Sequence, residues 1–253
     1  MNASTAVLLG LGLPLLLLVI VRTERRGGFQ ADAFGSRASR WIAFGLLYGT
    51  LALTTLLPSA RKVDPKEIRF GTMFTGHALL VLFLLVWWLL SGRPPLLDFL
   101  ALRTHAPWQN VVSGLGLGVA GLAIGARISV DFGLTLRLLD QPLPTVPPLV
   151  RWIFDLPASQ RLAVLVVSMT VEELFFRSFL QRRFGPVAAS VLFLLSHGGY
   201  GEPRVFLGIA GITLMLSLGL YMKGNVLPSI AAHGLFNGVQ LFGAPYLLRS
   251  LAR

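Results

Sequence analysis

Long apolar blocks alternate with short polar connections along this chain. The blocks at residues 3–21, 41–57, 73–91 and 108–126 each come close to the ~20 residues that an α-helix needs to cross a bilayer. Four more follow at 161–180, 186–199, 203–222 and 226–247. The block at 186–199 is short, and predicts a helix that ends inside the protein or bounds a water-accessible cavity. The pattern predicts an all-α fold, a polytopic membrane bundle of about eight transmembrane helices with an internal polar cavity. Residues 3–21 lack a basic leading region and an A-x-A cleavage site, so they read as an anchor rather than a removed signal peptide.

The connections are less regular. Arg22, Arg25 and Arg26 follow the first block, and a charged loop with Arg61, Lys62, Lys66 and Arg69 follows the second. Trp87 and Trp88, near the end of the third block, suit an interfacial aromatic belt. The apolar patch after Pro94 and Pro95 (Leu96, Leu97, Phe99, Leu100, Leu102) predicts an interfacial helix within 92–107. The fourth block carries Gly114, Gly118, Gly121 and Gly125, whose 4-3-4 spacing puts them on one face and favours close helix packing. These glycines are no dinucleotide fingerprint, because no strand precedes them and no acidic residue follows at the right distance. Residues 127–160 are expected to be the longest connection, since Asp131, Asp140, Pro142, Pro144, Pro147 and Pro148 argue against a span. This stretch reads as an amphipathic or re-entrant segment near a site, or as a linker.

Composition agrees with a lipid solvent. Of 253 residues, 54% are hydrophobic and 13% charged, and the mean hydropathy is +0.71. A soluble domain of this length could not hide that much apolar surface. The absence of cysteine excludes disulfides, thiolate metal sites and a cysteine nucleophile. The net charge of +11 resides mostly in the short connections, where it meets anionic headgroups rather than nucleic acid. The basic residues divide evenly between the two sides of an eight-span arrangement. The positive-inside rule therefore gives no strong orientation, although the first cluster favours an outside N-terminus.

Against this background the stretch S-M-T-V-E-E-L-F-F-R-S-F-L (168–180) stands out. It puts Glu172 and Glu173 inside an apolar block, where a charge costs about 2.5–3.5 kcal/mol on insertion scales. Arg177 lies at ion-pair spacing from Glu173. Two later blocks contribute Phe193 with His197 and His233 with Asn237, each pair four apart and so on one helix face. A carboxylate, one imidazole, and a second imidazole with an amide form a set able to activate a water, move a proton and stabilise an oxyanion. Glu172, His197 and His233 are also a possible ligand set for a divalent metal. His77 lies in the third block without an accompanying carboxylate and reads as interfacial or packing; His105 lies in a loop. No H-E-x-x-H, no paired intramembrane Asp and no G-x-S-x-G are present.

These residues carry a resemblance. E-E-L-F-F-R (Glu172, Glu173, Arg177), F-L-L-S-H (Phe193, His197) and H-G-L-F-N (His233, Asn237) resemble, in order, the E-E-x-x-x-R, F-x-x-x-H and H-x-x-x-N motifs of the CPBP family. These are the CAAX-protease and bacteriocin-processing membrane proteins, related to the Ras-converting prenyl endopeptidase and also called abortive-infection proteins. The resemblance covers about residues 160–240. Length and the apolar pattern give a single membrane domain over 1–253, with N-terminal spans in 1–126 and a connecting segment at 127–160, and the resemblance makes 161–247 a CPBP-like catalytic core. The resemblance implies an intramembrane endopeptidase that cuts near the C-terminus of a lipidated or membrane-anchored substrate. Glu172 would activate the water, His197 would move the proton, His233 and Asn237 would stabilise the tetrahedral intermediate, and Glu173 and Arg177 would support the site. No cofactor is expected, a metal-free glutamate mechanism being favoured over a divalent metal. The expected location is a bacterial inner membrane, crossed several times. The other readings are a non-catalytic immunity or binding protein of the same fold, and a proton-coupled transporter, against which stands the lack of an inverted repeat.

Overall fold

A computed structural model describes residues 3–60, 68–142, 145–200, 203–243 and 246, the side chains of 3–8, 59, 60 and 204 excepted. Arg61, Lys62 and Lys66 of the expected charged loop lie outside the described residues, as do Pro144 and most of the end of the 226–247 block.

Every regular element among the described residues is helical. The first long helix is Ala3–Arg25. Ser36 then caps the Arg37–Leu51 helix, its hydroxyl accepting from the Ser39 amide, which satisfies one of the open N–H groups of the first turn. That helix runs on through a wider π-helical stretch, Ala52–Leu56, into Leu57–Ala60. Thr75–Leu90 follows a 3₁₀ turn at Phe70–Phe74. Pro107–Leu138 comes next, and Pro148–Asp155 is a short helix before the Ala158–Glu172 helix. The Ala158–Glu172 helix opens into a second π-helical stretch, Glu173–Gln181, and ends at Phe184. Gly185, at φ +84°, allows the sharp turn. Pro186 restarts the chain as Pro186–Ser196. Pro203–Lys223 and Leu227–Gly238 follow, the last continued by a π-helical stretch, Val239–Gly243. Three helical stretches are long and apolar enough to cross a membrane: Phe70–Leu90, Pro107–Leu138 and Val205–Lys223.

Three expectations are corrected. The fourth block does not end at residue 126, because its helix continues to Leu138. At 1.5 Å per residue its 32 residues span about 48 Å, well beyond the ~30 Å of hydrocarbon, so its polar end can stand in the headgroups. There Arg127 and Asp131, one turn apart, pair on the exposed surface at 2.8 Å, and charges that oppose a buried span are no obstacle to a protruding helix. The connection therefore shrinks, and its second half is the helix Pro148–Asp155. The patch after Pro95 is one turn, Leu96–Phe99. Its Phe99 is buried, and its carbonyl accepts from Ser178 and Arg182. Trp87 is a core residue, 1% exposed, rather than part of a belt. It packs among Phe29, Phe34, Phe44, Phe83 and Phe179, and its indole N–H donates to Asp32. Burial of its ring is the larger contribution, and the indole proton needs only one acceptor. Trp88 is half-buried and donates to the Pro94 carbonyl.

The glycine face behaves as its spacing predicts. Gly114 and Gly118 lie against the Leu227–Gly238 helix and Gly121 against Ile212 of the Pro203–Lys223 helix. Without side chains between them, the backbones approach closely enough for a Cβ on Gly114 to fall 2.4 Å from the Pro228 carbonyl oxygen. This packing fixes the height and rotation of the helix that carries His233 and Asn237. At the far end of the glutamate helix, Arg183 makes a two-pronged pair with Asp32, at 2.6 and 2.9 Å.

Candidate active site

Glu172 and Glu173 are adjacent, so on a helix their side chains point about 100° apart. The bundle uses that divergence. Glu172 is the last residue of the α-helical part and lines a cavity of about 600 Å³. Glu173 opens the π-helical stretch and turns into the protein, fully buried. π-Helical insertions often occur at functional sites. Here the wider turn buries Glu173 and every residue from Phe175 to Gln181.

Glu173 is held from two sides. Arg177, also fully buried, approaches with Nε 3.4 Å from Oε2. His233 Nδ1 lies 2.9 Å from Oε1. A carboxylate only accepts, so the His233 proton is on Nδ1 and Nε2 carries the lone pair. Asn237 then donates its amide to that lone pair at 2.9 Å. Glu173, His233 and Asn237 thus form a directed chain of hydrogen bonds that ends at the cavity wall, which Asn237 lines. Arg177 is anchored in turn by Ser217, at 2.9 Å, and by the face of the Phe193 ring. Arg177 therefore lies behind the site, and Phe193 stands between its guanidinium and the cavity, which the Phe193 ring lines.

His197 caps the Pro186–Ser196 helix, where that short helix stops beside the cavity. Its Nδ1 sits 2.9 Å from the Phe193 carbonyl and 3.0 Å from the Ser196 hydroxyl. The carbonyl can only accept, so Nδ1 carries the proton and Nε2 the lone pair. That Nε2 faces Glu172 Oε2 at 3.8 Å. Two acceptors face one another slightly beyond hydrogen-bond reach, a spacing that a molecule with two donatable protons fits.

Two groups at this site were not legible as such. His77, read as interfacial or packing, is corrected: its Nε2 lies 3.0 Å from Glu172 Oε1. The partner is 95 positions away in sequence, and a lone histidine in an apolar block carries no mark of which distant residue it will meet. Tyr200, unassigned from sequence, stacks its ring nearly parallel to that of His197, at 6.0 Å, and lines the cavity. The structure thus brings Glu172, Phe193, His197, His233 and Asn237 to one cavity, with Glu173 and Arg177 behind them.

The metal-ligand set Glu172, His197 and His233 does not fit this geometry. Both ring nitrogens of His233 are engaged, by Glu173 and Asn237, so neither is free for an ion. Among the described residues no three His, Asp or Glu side chains gather as ligands.

The remainder of the cavity is mostly apolar. Ile153 and Phe154 of the short Pro148–Asp155 helix, with Ile209 and Phe236, form much of its wall. Residues 155–239 match the family model described as Type II CAAX prenyl endopeptidase Rce1-like. That stretch is similar to Rce1-like CAAX endopeptidases. It spans about a third of the sequence and holds the glutamate helix, His197, His233 and Asn237. No curated protein and no solved structure matches the chain. With its apolar helices, the Rce1-like stretch marks an integral, multi-pass membrane protein.

Proposed function

We propose that this protein is an intramembrane endopeptidase. In this reading it hydrolyses a peptide bond near the C-terminus of a lipidated or membrane-anchored substrate, with a water activated by Glu172. The observation that carries the reading is the facing of Glu172 Oε2 and His197 Nε2 at 3.8 Å, both as acceptors, in the cavity wall. A water between them donates one proton to each and keeps its own lone pair for attack on a carbonyl carbon. As it attacks, its proton passes to Glu172 or His197, and from there to the leaving amine. Asn237, oriented by the Glu173–His233 chain, keeps one amide N–H to donate to the oxyanion. His233 supports the tetrahedral intermediate through Asn237. The apolar wall suits a lipid-bearing or membrane-buried chain.

The proposed topology is eight membrane helices, the longer runs 3–25, 37–60, 70–90, 107–138, 158–184, 203–223 and 227–243 and the short run 186–196, which enters the bilayer without crossing it. The run 186–196 is about 16 Å long, half a bilayer, and it delivers His197 to mid-depth.

The test is a Glu172→Gln variant, which keeps size and hydrogen bonding but cannot take a proton. In cells, C-terminal peptides released from membrane proteins by the wild type should disappear with Glu172→Gln and with His197→Ala, at unchanged protein level. Release that continues in either variant refutes the assigned chemistry. An immunity or binding role without hydrolysis would instead survive Glu172→Gln.

A further inference from the structure

The Thr75–Leu90 helix lies outside the 155–239 match, yet it places an imidazole on the central carboxylate. His77 Nε2 is 3.0 Å from Glu172 Oε1. Its other nitrogen, Nδ1, is buried with no hydrogen-bond partner. A buried N–H without an acceptor is rare in proteins, whereas a bare acceptor is tolerated more often. The ring proton therefore belongs on Nε2, and His77 donates to Glu172.

This divides the two oxygens of Glu172. Oε1 is tied to His77, and Oε2 faces His197 at 3.8 Å. The terminal torsion of a glutamate is broad and roughly two-fold, so a free Glu172 would sweep its carboxylate plane through many angles. From this geometry we infer that His77 is a positioning residue for the hydrolysis proposed above: its hydrogen bond fixes the carboxylate plane so that Oε2 is presented to the attacking water. The inference rests on that reading of the site. It also gives the N-terminal spans a part in the chemistry, since the recognised domain alone lacks this imidazole.

The experiment has two arms, both on the full-length protein in lipid. In the first, a fluorogenic farnesylated C-a-a-X peptide is the probe, and His77→Phe is compared with His77→Gln. Phe keeps the ring volume without a donor; Gln keeps an N–H donor. Loss of a group that orients a reacting residue costs about 10- to 100-fold. His77→Phe should therefore lower kcat by that factor at nearly unchanged KM, and His77→Gln should restore most of it. Wild-type kcat in His77→Phe, or equal losses in both variants, overturns the inference. In the second arm, histidine ring ¹⁵N signals are recorded without substrate, with His77 assigned by its loss in His77→Phe. The Nε2-protonated tautomer is expected, with a signal that moves in Glu172→Gln. An Nδ1-protonated ring, or a signal that does not respond to Glu172→Gln, overturns the inference whether or not the peptide is cut. If that signal responds but the wild type neither cuts the peptide nor releases C-terminal peptides from membrane proteins in cells, the pairing stands and the hydrolytic reading falls.

Discussion

Replacing Gly114 by alanine tests whether close backbone packing sets the position of the His233 helix. The new Cβ would lie 2.4 Å from the Pro228 carbonyl oxygen, 2.8 Å from Pro228 Cα and 2.8 Å from Ala231 Cβ. Two of these are backbone atoms, which cannot rotate away. The Leu227–Gly238 helix must then move outward, and it carries both His233 and Asn237. Overpacking of this kind costs about 1–3 kcal/mol. Alanine gains back about 0.5–1 kcal/mol of helix propensity over glycine, which leaves a net loss of about 1–2 kcal/mol. At about 2–4 °C per kcal/mol for a chain of this size, the midpoint of thermal unfolding should fall by about 2–8 °C. Gly116, two residues on along the same helix, has nothing within 4 Å of its Cβ position. Gly116→Ala should show only the propensity gain, a rise of about 1–4 °C. Both variants are measured by circular dichroism in one detergent and lipid mixture. If Gly114→Ala unfolds at or above the temperature of Gly116→Ala, the close approach does not hold the helix in place and the argument fails.

Two further stability predictions concern charges at different depths. Glu173 and Arg177 are both fully buried, so Arg177→Met strands a carboxylate and should cost about 3–5 kcal/mol, towards the lower end because His233 still bonds Glu173. The double variant Glu173→Gln with Arg177→Met should recover much of that loss, and strictly additive effects in the double-mutant cycle would count against the pairing. Asp32 and Asp131 offer a contrast. The Asp32 side chain is 4% exposed and binds Arg183 twice and the Trp87 indole, so Asp32→Ala should cost about 3 kcal/mol or more. Asp131 pairs on the surface and Asp131→Ala should cost under about 0.5 kcal/mol. Similar unfolding midpoints for these two variants would show that depth is not what separates them.

Much of this protein was legible from its sequence, for a physical reason: lipid leaves the backbone little choice but helix, so runs of apolar residues mark out helices. Glycine spacing marked the face of closest packing, and local spacing is also why the Glu173–Arg177 pair, one helical turn apart, could be read directly. Polar residues are few in the apolar blocks, so Glu172, His197, His233 and Asn237 stood out as candidates there. Sequence did not say which imidazole meets which carboxylate. Glu172 and Glu173 differ only by a rotation of about 100° about the helix, and packing alone sends Glu173 to His233 and Glu172 to the cavity with His197. It could not show that His77 joins Glu172, or that Trp87 is wrapped by phenylalanines and held by Asp32, since these contacts join residues far apart along the chain. It also ended a helix too early at residue 126, because charges that forbid a buried span do not forbid a helix that rises out of the membrane. Spacing within one helix is fixed by covalent geometry and can be read from the chain, whereas contacts between helices depend on how each rotates and slides, which only the assembled bundle decides.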